Sequence, residues 1–131
     1  MYVTAIFAAI LALIFIRLSF NVIEPRHLLR VSWRRAIHAH RNFVEYVPMS
    51  LLLMGTLEFN GAPTLWVATL GMLLLLSRYF HSKGMHSGDS DFQNRVMGMK
   101  FTLFGLALLA LSNVVWIAYV FIASAKFAAI H

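Results

Sequence analysis

The sequence predicts an all-α, integral-membrane bundle of four transmembrane helices, and three observations carry that expectation. Apolar residues make up 60% of the 131-residue chain and charged residues only 12%, against about 25% charged in an ordinary soluble domain. The mean hydropathy is +0.75, more apolar surface than a soluble chain of this length can enclose in one core. Four apolar runs follow one another, each close to the roughly 20 residues that a span requires. The length fits a single domain over residues 1–131.

The first run covers about residues 2–23, broken only by Arg17. It is too long for a typical leader core and lacks a basic start, so it reads as a span and not as a cleaved signal. The second runs through about 36–59, with polar residues in its first half. The third covers about 64–82 and the fourth about 99–123. Apart from that polar half, all are apolar on every face, as expected of helices surrounded by lipid and by one another. The short link "NGAP" between the second and third runs is a tight turn. Pro25 ends the first helix or begins the next. "HSGDSDFQN", residues 86–94, is the most loop-like stretch.

Charge sets the orientation. Arg26, Arg30, Arg34, Arg35 and Arg41 lie between or at the edges of the first two runs. Arg78, Lys83, Arg95 and Lys100 flank the third link, whereas "NGAP" has no basic side chain. The positive-inside rule therefore puts both long basic loops in the cytoplasm and both termini outside. Topology thereby accounts for the net charge of +6 without nucleic acid. Some of these arginines are also suited to anionic lipid headgroups. Trp33, Trp66, Trp116 and Tyr119 read as interfacial anchors. With no cysteine in the chain, any thiol chemistry uses a thiol brought by the substrate.

The second run holds an unusual polar stripe. Arg35, His38, Asn42 and Glu45 are spaced three or four apart and so share one helix face, bordered by Tyr46. A charge at the bilayer centre costs roughly 3 kcal/mol, so Glu45 requires a partner or a task. An interhelical salt bridge and a ligand site both satisfy that requirement. His38 and His40, two apart, point to nearly opposite sides of a helix and do not predict a shared metal. Met97 and Met99 read as packing or lipid contacts, and Glu58, near the "NGAP" turn, suggests no role.

Asn42, Glu45, Tyr46 and Pro48 in "HRNFVEYVP" resemble the second-helix signature of the MAPEG family, the membrane-associated proteins of eicosanoid and glutathione metabolism. "EPRHLLRV" after the first run, "RYFHSKG" at the end of the third and Arg95 before the fourth add to the likeness, which is greatest to short bacterial members. The resemblance implies a homotrimer in the bacterial inner membrane, with glutathione bound between neighbouring subunits on the cytoplasmic side. It implies that Asn42, Glu45 and Tyr46 hold glutathione, with Arg26, Arg30, Arg78 and His81 in the same binding set and Arg95 as the catalytic cation beside the thiolate. His38 joins the set in place of an arginine found in many members.

The chemistry is consistent in its own terms. Arginine forks match the two carboxylates of glutathione and Glu45 matches its ammonium. A cation near the sulfur favours the thiolate over a thiol of pKa about 8.5. The implied activity is a glutathione-dependent transferase or peroxidase, suited to detoxification. It would attack hydrophobic electrophiles or lipid hydroperoxides arriving from the membrane, with glutathione as co-substrate and no metal. The alternative is a non-catalytic, lipid-binding scaffold of the same fold. A transporter using Glu45 as a proton relay is a third, weaker reading.

Overall fold

The structure, a computed structural model, describes residues 1–23, 30–83 and 92–128. They form four helices: α1 (Tyr2–Ile23), α2 (Arg30–Phe59), α3 (Thr64–Lys83) and α4 (Phe92–Ala128). Among the described residues there is no strand. The order is the expected one, but three boundaries differ, one of them the end of α4 at Ala128, past the expected residue 123. α2 begins at Arg30, upstream of the apolar run, and α4 is helical from Phe92, so Phe92–Asn94 are helix and not loop. Hydropathy marks where lipid ends. Arginine, glutamine and methionine are good helix formers and carry the backbone further.

Two helices contain segments long and apolar enough to cross a membrane, Tyr2–Phe20 in α1 and Val96–Phe127 in α4. α2 and α3 have 30 and 20 residues, but arginine and histidine occupy the half of each nearest its basic loop, which shortens their apolar segments. α2 continues unbroken through Pro48, although proline offers no N–H to the carbonyl of Val44.

The α2–α3 turn has a clear chemical basis. Gly61 adopts φ of +80°, a left-handed conformation that glycine reaches without a Cβ penalty. Its N–H donates to Glu58 O at 3.1 Å, and Ala62 N–H donates to Leu57 O at 3.2 Å. This paired capping satisfies two of the last carbonyls of α2. Pro63 O then accepts from Trp66 N–H at 2.9 Å and Val67 N–H at 3.2 Å, opening α3. Four residues thus reverse the chain.

That hairpin packs on α1 and α4. Phe7, Met54, Leu57, Ala62, Val67, Leu70 and Leu109 form one buried cluster near the turn; Leu11, Phe43, Val47 and Leu74 form a second, deeper along the bundle. Close approach depends on small residues. A Cβ at Gly71 would lie 2.6 Å from the Phe7 ring, and one at Gly98 would lie 2.9 Å from the backbone nitrogen of His81.

Polar ties secure the turn end of the bundle. Glu58 Oε1 accepts from Val3 N–H at 3.0 Å, and its Oε2 accepts from Thr4 N–H at 2.8 Å and Thr4 Oγ1 at 2.6 Å. Glu58 therefore caps α1 from another helix, a role its position in the sequence did not suggest. Buried Asn113 donates to Leu53 O at 2.8 Å and accepts from Thr56 Oγ1 at 2.8 Å, linking α4 to α2. Trp116 Nε1 donates to Asn60 O at 2.8 Å, and Trp66 Nε1 to Ser112 Oγ at 3.2 Å. These two tryptophans, expected as interfacial anchors, also hold helices together.

Candidate functional site

At the other half of the bundle, a buried arginine joins three helices. Arg78, on α3, is 5% exposed. Its Nη1 donates to Asn42 Oδ1 on α2 at 2.8 Å, its Nη2 donates to Thr102 Oγ1 on α4, and its Nε donates to Ser77 Oγ at 3.4 Å. Thr102 gives its own proton to Gly98 O at 2.8 Å, so its oxygen faces Arg78 as a pure acceptor. Ser77 likewise gives its proton to Leu74 O at 2.7 Å. Asn42 Nδ2 donates to Met99 Sδ at 3.3 Å. Met99 is thus an acceptor as well as a packing residue.

Asn42, Thr102 and Ser77 are all neutral acceptors for this guanidinium. Among the described residues no carboxylate lies within ion-pairing distance of Arg78. Removing a cation from water costs several kcal/mol even after relaxation, and neutral hydrogen bonds recover only part of that. Guanidinium has five N–H donors, and three are directed as described. Tyr46, half-buried on α2, lies within electrostatic reach of the same cation.

The exposed side of α2 completes the arrangement. Glu45 Oε1 accepts from Arg41 Nε at 3.0 Å, four residues earlier, and both side chains are largely open on this subunit. His38 is exposed on the same helix. His40 turns inward instead, with Nε2 3.1 Å from Ser19 Oγ and its ring 5.0 Å from that of Phe15.

The sequence that builds this bundle is similar to known proteins. A model of the MAPEG family matches residues 2–115. The chain belongs to the MAPEG family. It is similar to Inner membrane protein YecN of Escherichia coli strain K12, at 36% identity over 119 residues, covering 85% of this chain and 89% of that protein. The YecN protein of E. coli O6:H1 strain CFT073 matches equally. This MAPEG chain is accordingly a membrane protein.

Of the residues that the sequence put forward, the MAPEG bundle brings Asn42, Tyr46 and Arg78 together and leaves Glu45 and His38 open on the α2 surface. His81 is half-buried on α3, beside the close approach of Gly98. Arg30 and Arg95 lie in the first turns of α2 and α4, but their side chains, and Arg26 entirely, lie outside the described residues. Sequence reasoning missed Thr102 and Ser77. One available signal was Gly98-x-x-x-Thr102, two small residues one turn apart, a spacing that lets membrane helices meet closely.

Proposed function

We propose that this MAPEG protein is a glutathione-dependent membrane enzyme, a transferase or peroxidase that activates the bound thiol against hydrophobic electrophiles or lipid hydroperoxides. All four helices span the membrane, the basic loops face the cytoplasm and the termini lie outside. Three copies assemble, and the open α2 face of one meets a neighbour. Glu45 receives the glutathione ammonium, Tyr46 and His38 offer hydrogen bonds, and Arg26, Arg30 and Arg95 meet the carboxylates and the thiolate. Asn42, Arg78 and His81 stand behind them.

The observation that supports this reading is a buried cation whose partners, among the described residues, are all neutral. Arg78 is held at the level of Asn42 and Tyr46 by neutral groups, which leaves a net positive field beneath the α2 face that carries Glu45. Such a field favours an anion, and glutathione brings two carboxylates and a thiolate. An ion pair beside the exposed apolar side chains of Val44 and Met49 on a membrane helix also favours a covering partner. Titration of the detergent-solubilised protein with glutathione, followed calorimetrically and by ultraviolet absorbance of the thiolate, tests the proposal. Absence of binding at millimolar concentration overturns it.

One observation favours the non-catalytic scaffold. Both ends of the Asn42 amide are occupied within the subunit, by Arg78 and Met99, and Glu45 already has Arg41. A protein of that kind takes up a lipophile without forming a thiolate, so the absorbance measurement separates the two readings.

A further inference from the structure

We propose that Thr102 is a positioning residue for the site, fixing the Arg78 guanidinium at the level of Asn42 and Tyr46 through the orientation of its hydroxyl. This rests on the glutathione reading above for its effect on ligand, but not for its effect on Arg78.

The geometry is over-determined. Thr102 is 1% exposed, and its proton is committed to Gly98 O at 2.8 Å. A hydroxyl is both donor and acceptor; once the donor is committed, only lone pairs remain for Arg78 Nη2. A freely turning hydroxyl could point its proton at the cation and repel it. Gly98 has a second part in this. Its missing Cβ lets α4 meet the α3 backbone at His81, and one turn later the same contact brings Thr102 against Arg78. Asn42 fixes the other arm of the fork from α2. A guanidinium is planar, so these two anchored nitrogens, with Nε on Ser77 as the third, define the plane of all five N–H groups.

Valine matches threonine in shape but has no acceptor, and serine keeps the acceptor without the methyl. The test uses the full chain in detergent micelles, with Thr102→Val and Thr102→Ser compared with the unaltered protein. Two quantities are read: solvent exchange of the Arg78 Nε–H proton by nitrogen-15 NMR, and glutathione affinity by calorimetry. Positioning requires faster exchange and about tenfold weaker binding in T102V, the scale of one lost hydrogen bond to a charged group, with both quantities near the unaltered values in T102S. Unchanged Arg78 exchange in T102V overturns the proposal, as does a T102S protein that behaves like T102V, since the methyl and not the hydroxyl would then matter. If the unaltered protein binds no glutathione, the functional reading fails and the exchange measurement still decides the role of Thr102. If T102V does not fold, Thr102→Cys, whose thiol is a weak acceptor, takes its place against T102S. Equal Arg78 exchange in those two proteins then refutes positioning.

Discussion

Asn42 Oδ1 and Arg78 Nη1 lie 2.8 Å apart, and this contact ties α2 to α3 through a buried cation and a neutral amide. An amide in that place binds the arginine without discharging it. Asn42→Asp tests the distinction. The carboxylate turns the Nη1 contact into an ion pair, so thermal stability is expected to rise, while the lost positive field lowers glutathione affinity by about tenfold or more. Asn42→Ala leaves Arg78 short of an acceptor and is expected to cost about 1–3 kcal/mol, read as a lower unfolding midpoint. A protein in which N42D binds glutathione as well as the unaltered chain has no use for the uncompensated charge.

Gly98 is expected to tolerate no side chain. Its added Cβ would lie 2.9–3.0 Å from the His81 backbone nitrogen and Cα, and backbone gives way less readily than the end of a side chain. Gly98→Ala therefore separates α3 from α4, with a cost of about 1–3 kcal/mol typical of overpacking. The same shift draws Thr102 from Arg78. Thermal unfolding in detergent measures the first effect. An unaltered midpoint would show that the two helices do not depend on this contact.

Glu58 caps α1 across 54 residues of sequence, through Thr4 N–H and Thr4 Oγ1. In Glu58→Ala the first-turn N–H groups of Val3 and Thr4 lose their acceptor. The expected cost is about 1 kcal/mol, the usual value of a helix cap, with faster hydrogen exchange confined to the first turn of α1. Exchange that rises equally along α1 would instead mean that Glu58 holds the whole helix in place.

Much of this was legible in the sequence. The four helices and their order follow from hydropathy. The "NGAP" turn follows from glycine and proline, and a polar contact at Asn42 follows from polar groups placed where lipid penalises them. What hydropathy could not convey is rotation. A helix apolar on all sides gives no periodic signal of which face meets which neighbour. Thr102 and Ser77, small residues in apolar runs, therefore gave no sign that they hold Arg78. Glu58 looked like a lone acid near a turn because its partners begin the chain. Helix ends were legible only to the limit of the apolar runs. Arg30 and Phe92 are helical although they lie outside those runs.

Trp116, expected from the sequence to be an interfacial anchor, makes a contact within the bundle. Its indole N–H reaches Asn60 O in the α2–α3 turn at 2.8 Å. Trp116→Phe retains the ring and removes the donor, so a loss of about 1 kcal/mol is expected, the net value of one hydrogen bond. Faster exchange of the Gly61 and Ala62 amides should accompany it. No change at those amides would reduce the tryptophan to an anchor in the headgroup region.

The Arg41–Glu45 pair separates a structural role from a ligand role most directly. Both side chains are largely open, and the pair is four residues apart on one helix. Exposed pairs of this kind contribute only roughly 0.3–0.5 kcal/mol, so Glu45→Gln is expected to leave the unfolding midpoint of the isolated subunit almost unmoved. If Glu45 instead receives the glutathione ammonium, the neutral amide loses a charge-assisted contact, and affinity falls by about tenfold. Arg41→Gln supplies the contrast, because it frees Glu45 from its competitor and is expected to hold or raise affinity. Calorimetric titration of the two proteins beside the unaltered chain reads both effects. Parallel losses in E45Q and R41Q would mean that the pair acts as a unit on the α2 surface, and the ammonium would have to be received elsewhere.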